Sequence, residues 1–349
     1  DIDGDGQYTE RSTSGYSPLI NRWLITVARL LDRPEIYEAV RRNLDLTMYF
    51  VRPNGELVTE VSRRQDQYTR RKADGYYYAY RYLACLDQNG AYAAMARFIE
   101  QTVGRKPLYQ HVLYALDDPV ALQPLPSPAP LPDNYARHFP GSQIVRIRRG
   151  DADASIVAAN HTFFAFHKGG AALRVRLASA FFGKGQFQGA DIEREDDRYL
   201  LKQRLRGRYV QPLGEDDLSS DGNWFRMPHE RRTHSEVQKL RTSITLTESD
   251  GRFRLRFHTS GTERGPVAVE MAFRHGGELR GVAAVEGSPD TYLPAEATGK
   301  YEVDGDTIHF GGGPVAHHWT QVRGALPKLD AQCVYYTCFT PADFAIEIW

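Results

Sequence analysis

Cysteine is scarce in this chain of 349 residues, which carries only Cys85, Cys333 and Cys338. The last two lie five residues apart in a strand-like run, so their side chains should point to opposite faces of a sheet. A local disulfide between them is therefore not expected. Three scattered cysteines also provide neither a metal-ligand spacing nor a disulfide framework.

An excess of charge of either sign is also lacking. The 44 Lys and Arg residues balance the 44 Asp and Glu residues, which gives a formal net charge of zero. Proteins that hold nucleic acid through bulk charge need an excess of basic residues, so we expect no nucleic-acid partner. No apolar run approaches the roughly 20 residues of a membrane span. The first residue is not Met and no signal peptide is evident, so we expect a mature product or a piece of a longer protein.

The first third of the chain has the periodicity of helices. After Ser17-Pro18, apolar residues recur at helical spacing through residue 31. We expect four helices with short connections over about residues 15–104, arranged as two antiparallel hairpins. The third should cover about residues 65–86, with the basic run 63–72 at its start. Large aromatic side chains on the helix faces, such as Trp23, Tyr37 and Tyr80, are expected to be buried.

A proline-rich segment follows the helical residues. Seven prolines lie between residues 116 and 140, which indicates a semi-rigid, extended connector across a surface. We therefore expect a helical domain over 1–115, a linker over 116–140 and a second domain over 141–349.

From Gly141 onward the apolar residues recur with a period of two. Residues 143–148, 172–177 and 252–257 alternate apolar and basic side chains, as antiparallel strands with one solvated face do. So many strands over roughly 200 residues favour a large antiparallel β-sandwich over a small barrel. The expected fold class is α+β multidomain, with helices first and the sandwich second.

Two polar segments could bind a ligand. Glu10, Arg11 and Tyr16 lie on a glycine-containing loop that enters the first helix, where side chains can be presented to a ligand. An alternative is a plain connecting loop in which Tyr16 packs against the helix. Arg63, Arg64 and Tyr68 belong to the basic run, and clustered arginines suit the carboxylate or sulfate of an acidic sugar. Here the alternative is a solvated helix end with Asp66 as a local partner.

The chain begins with alternating carboxylates. Asp1, Asp3 and Asp5, with Gly4 and Gly6, are similar to the start of a calcium loop. An EF-hand needs a bidentate acid at its twelfth position, which is Ser12 here. We therefore expect no required cofactor, with Ca²⁺ as an optional ligand of the three aspartates.

Eleven histidines are spread along the chain. His161 and His167 lie six residues apart at the head of the second domain, so on one unbroken strand both would face the same side. No HExxH, GxSxG, P-loop or dinucleotide-binding glycine pattern is present.

The segment Asp5-Gly-Gln-Tyr-Thr-Glu-Arg-Ser12, followed by Gly15-Tyr16 and an apolar helix, resembles a segment of the heparinase II/III-like polysaccharide lyases. The resemblance implies an (α/α) toroid followed by an antiparallel β-sandwich. It also implies that Tyr16 acts on the glycosidic oxygen and that the enzyme is secreted or periplasmic. The family's toroid has more helices, so a partial toroid is implied here. Further N-terminal helices of the same protein, or another chain, would then be partners.

These observations lead to a functional hypothesis, a lyase that cleaves an acidic, uronate-containing polysaccharide or oligosaccharide by β-elimination. Tyr16 would be the general acid and base, and a cation such as Arg11 or Arg64 would lower its pKa from the usual value near 10. His161 is the candidate base or carboxylate partner from the sandwich. Glu10, Arg11, Arg63, Arg64 and Tyr68 are the candidate substrate-binding residues.

Two alternatives remain open. One is a glycoside hydrolase on a similar toroid, with Glu10 and Asp66 as its two carboxylates. The other is a non-catalytic carbohydrate-binding protein. The reaction product separates them, because elimination leaves an unsaturated uronate that absorbs ultraviolet light.

Overall fold

The α-helices of the protein all lie within its first 117 residues. A computed structural model describes all 349 residues. Its helices are α1 (Tyr16–Leu30), α2 (Tyr37–Thr47), α3 (Tyr77–Leu86), α4 (Gly90–Val103) and α5 (Val112–Asp117). Pro18 sits in the first turn of α1, where no amide donor is needed. The Asn89 side chain caps α4 by accepting hydrogen bonds from the amides of Ala91 and Tyr92.

Two large sheets make up the rest of the protein. In spatial order, the nine-stranded sheet contains β1 (Asn134–Phe139), β2 (Ile144–Arg149), β3 (Ala152–Val157), β4 (Phe164–Lys168), β5 (Ala171–Ser179), β10 (Pro266–Phe273), β16 (Gln332–Phe339), β13 (Thr291–Pro294) and β12 (Val282–Ala284). The eight-stranded sheet contains β11 (Glu278–Arg280), β14 (Thr298–Val303), β15 (Asp306–Gly311), β17 (Ala342–Ile348), β9 (Arg252–Ser260), β8 (His234–Ser249), β7 (Arg198–Val210) and β6 (Ile192–Glu195). All pairs of strands are antiparallel except β13 with β16.

The two sheets share one hydrophobic core. On β9, Phe253, Leu255 and Phe257 are buried, while the arginines between them are exposed. Phe253 meets Phe164 of the other sheet with 5.3 Å between ring centroids. The alternation that predicted half-buried strands is therefore confirmed for β9. It was wrong for residues 143–148 and 172–177, because β2 and β5 are buried on both faces and Arg146 and Arg176 are themselves buried. The α+β class with large antiparallel sheets is confirmed. The structure does not show a toroid.

The proline-rich segment lies along the helical part of the protein. Leu125 and Leu131 pack on the helical core, and the amide of Ala129 donates to the carbonyl of Gly90. The first strand begins at Asn134, before the change of period at residue 141. This strand is at a sheet edge and its exposure does not alternate, so the sequence pattern did not indicate it.

The prediction of the third helix was wrong at its start. Helix α3 begins at Tyr77 after a 3₁₀ turn, and residues 59–71, which we call the 59–71 loop, are irregular. Tyr68 has a φ of +63°, which a right-handed helix excludes. The Asp66 carboxylate accepts hydrogen bonds from Ser62 and Ser14, which holds this segment in a tertiary contact outside any helix.

The prediction that Trp23 is buried was also wrong, although Tyr37 and Tyr80 are buried. Trp23 is 56% exposed. It belongs to one of two rows of exposed apolar side chains on the helical part. One row is on α1, and the other is on α5 and the turns that flank it. We call these the apolar rows, and their members are Trp23, Val27, Leu30, Leu31, Tyr109, Val112, Leu113, Leu116 and Leu122. None of the helices combines the length and the apolar character that crossing a membrane requires.

Candidate functional site

The N-terminal loop is fixed to the first two helices by buried polar contacts. The Tyr8 hydroxyl donates to Asn21 Oδ1 at 2.7 Å, and the Asn21 amide donates to Asn43 Oδ1 at 2.8 Å. Asn43 in turn donates to the carbonyl of Gly6 at 2.9 Å. Gly6 has a φ of +99°, and a Cβ there would lie 2.2 Å from the carbonyl oxygen of Arg42. This close approach requires glycine.

A second set of contacts positions the backbone of Tyr16. Ser12 Oγ accepts the amide of Tyr16 at 3.0 Å at the start of α1. Asp66 Oδ2 accepts the amide of Ser14 at 2.8 Å, and the Thr13 and Ser62 hydroxyls lie 2.7 Å apart. The loop that carries Tyr16 is therefore bonded directly to the 59–71 loop.

The Tyr16 side chain lies beside Gln65, Arg64 and Glu10. Its hydroxyl accepts a hydrogen bond from Gln65 Nε2 at 3.4 Å, and the Arg64 guanidinium is 5.3 Å from the centroid of its ring. Arg64 also lies 3.5 Å from a carboxylate oxygen of Glu10. Of the predicted residues, the structure thus brings Tyr16, Arg64 and Glu10 together. We call these three residues and Gln65 the Tyr16 group.

Gln65 and Arg64 lower the pKa of Tyr16 from its ordinary value, and the Glu10 carboxylate opposes them only weakly. The hydrogen bond from Gln65 is the main cause, and the Arg64 guanidinium adds to it. Every other tyrosine with a displaced pKa has it raised, with burial as the main cause. Tyr16 is thus the tyrosine best suited to exist as a solvent-accessible phenolate.

Two clefts flank the 59–71 loop. The first, which we call the helical cleft, has Gly15 and Gln65 in its wall, so it opens beside Tyr16. The charged residues of its wall are Arg22, Asp66, Arg71, Lys72 and Asp74. The second lies between the loop and the nine-stranded sheet, and we call it the interdomain cleft. Thr69 lines both, so the loop is the partition between them.

Tyr68 belongs to the interdomain cleft and not to the Tyr16 group. Its hydroxyl donates to Asn160 Oδ1 at 2.7 Å, and Asn160 Nδ2 donates to the carbonyl of Glu60 at 2.9 Å. Burial raises the pKa of Tyr68, so it is protonated at neutral pH and acts as a donor. Its positive φ is a costly conformation for a bulky residue, and the Asn160 contact helps to hold it.

A buried charged network lies beneath the interdomain cleft. Arg52 pairs with Glu60 at 2.7 Å, and Ser155 of β3 donates to Glu60 at 2.6 Å. Burial alone would raise the pKa of Glu60, but the Arg52 charge lowers it far below its ordinary value. Burial lowers the pKa of His167 well below its ordinary value, and Arg52 lowers it further. The network therefore joins the helical part to the sandwich through an ionised Glu60 beside a neutral His167.

His161 is on the turn between β3 and β4. Its Nδ1 is 3.4 Å from the carbonyl oxygen of Phe187, and it shares no hydrogen bond with Tyr16. His161 and His167 do not lie on one unbroken strand, because β4 begins only at Phe164. The condition for a shared face is therefore not met.

Arg11 and Arg63 meet each other at the start of the sandwich. The Arg63 amide donates to the carbonyl of Arg11 at 2.7 Å, and Arg11 Nη1 is 3.5 Å from the carbonyl oxygen of Ser142. The Arg63 side chain is exposed, whereas Arg11 is half-buried. The predicted substrate-binding residues are therefore divided among the Tyr16 group, this contact and the interdomain cleft.

The N-terminal aspartates hold the loop to the sandwich. Asp3 Oδ2 accepts the Ser142 hydroxyl at 2.8 Å, and Asp5 Oδ2 accepts the Ser142 amide at 2.7 Å. The other Asp3 oxygen accepts two amides of its own loop, while Asp1 accepts from Thr9 through its carbonyl. No group of three or more His, Cys, Asp or Glu side chains is arranged to hold a metal ion. Calcium binding by Asp1, Asp3 and Asp5 stays a prediction.

The sequence analysis named His167 but missed two arginines of the interdomain cleft, Arg174 on β5 and Arg274 just after β10. Arg174 and Arg176 alternate with apolar residues on β5, which indicated a solvated face. That alternation was the available signal. The sequence could not show that the 59–71 loop covers part of this face.

Fold and site together define an α+β protein whose helical part and β-sandwich meet along the 59–71 loop. Comparison with known protein families and with curated proteins gives no match. The functional argument therefore depends on the residues of the site and on the resemblance of residues 5–16.

Proposed function

We propose that this protein is a polysaccharide lyase that cleaves an acidic, uronate-containing polysaccharide by β-elimination, with Tyr16 as general base and general acid. One observation carries the proposal. Tyr16 is solvent-accessible, and Gln65 and Arg64 lower its pKa. Every other tyrosine whose pKa departs from the ordinary value has it raised by burial. A tyrosine that acts as a base near neutral pH needs such surroundings.

The chemistry of the Tyr16 group follows from this environment. The Tyr16 phenolate removes the proton α to the uronate carboxylate, and the electron pair of that C–H bond forms a C=C bond. The bond to the 4-linked oxygen breaks, and the phenol returns its proton to that oxygen. Arg64 stabilises both the phenolate and the negative charge that develops on the carboxylate. Glu10, 3.5 Å from Arg64, orients the guanidinium.

The remaining predicted residues take supporting roles in this proposal. Arg11 and Arg63 would contact acidic groups further along the polymer, and His161 would contact it from the sandwich. Further helices of the same protein, or another chain, would cover the apolar rows and complete a toroid. The exposure of the large apolar side chains in these two rows favours such an arrangement.

The contacts of Asp66 disfavour the glycoside hydrolase alternative. Asp66 is buried, and its Oδ2 accepts hydrogen bonds from Ser14 and Ser62. Glu10, the other carboxylate of that alternative, is beside Arg64. A catalytic acid needs an accessible oxygen, whereas Asp66 Oδ1 is buried and Oδ2 is occupied by the two serines.

The direct test is incubation with a panel of uronate polysaccharides while ultraviolet absorbance is recorded. A lyase produces an absorbing unsaturated uronate at each cleavage. New reducing ends without absorbance would indicate hydrolysis. A chain that binds these polymers but never cleaves them would support the non-catalytic alternative.

A further inference from the structure

Four arginines line the interdomain cleft, and one of them has no acidic partner. The three that have one are Arg52, which pairs with Glu60 at 2.7 Å, and Arg70 and Arg274, which share Glu56. Arg174 forms no ion pair and donates no hydrogen bond. The Tyr68 ring lies beside it, with its centroid 5.0 Å from the guanidinium carbon.

Arg174 is partly desolvated as well as unpaired. It lies on β5 beneath the 59–71 loop and is half-buried, and this burial lowers its pKa. A guanidinium has five N–H donors, and no Arg174 nitrogen is among the fully buried polar atoms that lack a partner, so these donors reach the solvent of the cleft. The Tyr68 ring offers a cation–π contact, but it accepts none of these hydrogen bonds in the plane of the guanidinium. The donors are therefore free to bind an anion that enters the cleft.

The charges around Arg174 agree with this. The cleft wall has three carboxylates against its four arginines, and they are Glu56, Glu60 and Asp330. Its two histidines are not counted as positive charges. Burial keeps His167 neutral, and His275 lies 3.1 Å from the Asp330 carboxylate. The arginines and carboxylates of the wall thus leave one positive charge in excess, and Arg174 is the arginine that has no carboxylate within ion-pair distance.

The sheet also leaves space beside Arg174. Its partners in register on the two neighbouring strands are Ala165 of β4 and Ala272 of β10. Residues directly opposite each other in antiparallel strands project on the same side of the sheet. Because both of these neighbours are alanines, no large side chain from an in-register position of β4 or β10 covers the guanidinium. Ala272 itself lines the cleft.

We propose that Arg174, seated on the Tyr68 ring, forms a subsite that binds one carboxylate or sulfate group of an acidic sugar. The subsite rests on the proposed function, and it places a second sugar unit on the sandwich side of the 59–71 loop. A planar guanidinium takes either group in a bidentate manner. Tyr68 is a positioning residue that holds the plane of the guanidinium.

The test measures binding, in a Tyr16→Phe background that is expected to slow turnover by about 10²–10⁴-fold. Calorimetry compares three tetrasaccharides, which are an unsulfated uronate, a sulfated uronate and a neutral one. We expect Arg174→Gln to weaken binding of an acidic tetrasaccharide by about tenfold or more, because a charge-assisted bidentate contact is lost. The affinity of Arg174→Lys for the acidic tetrasaccharide should lie between those of the parent and Arg174→Gln, since lysine keeps the charge but lacks the planar guanidinium. The neutral tetrasaccharide should be unaffected by either change.

The control is Arg256→Gln, an exposed arginine of the other sheet that pairs with Asp343. It should bind all three tetrasaccharides like the parent. If the loss in Arg174→Gln is confined to the sulfated sugar, the bound group is sulfate, and an equal loss for both acidic sugars indicates the carboxylate. Acidic binding that is unchanged in both folded Arg174 variants, or absent from the parent, overturns the subsite. The absorbance assay tests elimination separately, so the two proposals can fail independently.

Discussion

Tyr8 and Tyr16 lie on the same loop, yet their hydroxyls have opposite surroundings. Tyr8 is buried and donates to Asn21, and burial raises its pKa. The Tyr16 hydroxyl reaches solvent and accepts from Gln65, and its pKa is lowered. The difference arises from residues almost 50 positions away in the chain, so the sequence of the loop could not distinguish the two tyrosines. The buried hydrogen bond of Tyr8 also makes Tyr8→Phe a poor control for Tyr16→Phe, because Asn21 Oδ1 would lose its donor.

At this scale the first prediction concerns Gln65. Gln65→Ala removes the donor that most lowers the pKa of Tyr16, so that pKa should rise. Because the base is the deprotonated form, the rising limb of the pH–rate profile should move to higher pH and activity at neutral pH should fall. Gln101→Ala, at an exposed position, should keep the parent profile. A Gln65→Ala profile that superimposes on the parent would contradict the role assigned to this hydrogen bond.

Among the elements, the 59–71 loop separates what the sequence could predict from what it could not. Periodicity predicted α1, α2, α4 and the alternating strands, because their apolar faces are set by local spacing. It failed for residues 65–76, where the Asp66 contacts with Ser14 and Ser62 override a helical pattern. The site divides in the same way. Tyr16 could be chosen from its loop, but Arg174 could not, since its importance depends on a loop about 100 residues away.

The second prediction uses Asp66 to separate structure from catalysis. Asp66→Ala removes an acceptor from Ser14 and Ser62, and it should lower the free energy of unfolding by about 2–3 kcal/mol. Asp66→Asn keeps one acceptor oxygen, so it should be milder in urea denaturation and should retain most of the activity. If Asp66 were a catalytic acid, Asn would instead abolish activity while the stability stayed close to that of the parent.

For the whole molecule, the buried network beneath the interdomain cleft links stability to pH. The pKa of His167 is well below its ordinary value of 6.5 in the folded protein, so the unfolded chain binds an extra proton at lower pH. Stability should therefore fall as the pH drops below about 6.5, by at most about 1.4 kcal/mol per pH unit for this one group. Below about 4.5, protonation of Glu60 in the unfolded chain adds to the loss, because its folded pKa is also lowered.

The third prediction follows from this sign. His167→Gln should flatten the decline in unfolding free energy between pH 6.5 and 5, as measured by urea denaturation at each pH. His258→Gln, at an exposed position on the other sheet, should keep the parent slope. A His167→Gln protein with the full parent slope would show that another group causes the decline.

The fourth prediction concerns the apolar rows. Leu30 and Leu113 are 67% and 77% exposed, so the double variant with Gln at both positions should change the unfolding free energy of this chain by less than about 1 kcal/mol. It should also bind less of a fluorescent apolar dye and self-associate less in sedimentation. A large loss of stability would mean that these side chains are packed against something within the chain in solution.

The central claim is that the Tyr16 hydroxyl transfers the proton, and one comparison tests it most directly. Tyr16→Phe keeps the ring and its contact with Arg64 but removes the transferable proton. Initial rates of unsaturated-uronate formation should fall by about 10²–10⁴-fold, with a melting temperature close to that of the parent. Tyr109→Phe, at a position that is 67% exposed, should keep the parent rate. A Tyr16→Phe protein that forms unsaturated product within about threefold of the parent rate would contradict the mechanism.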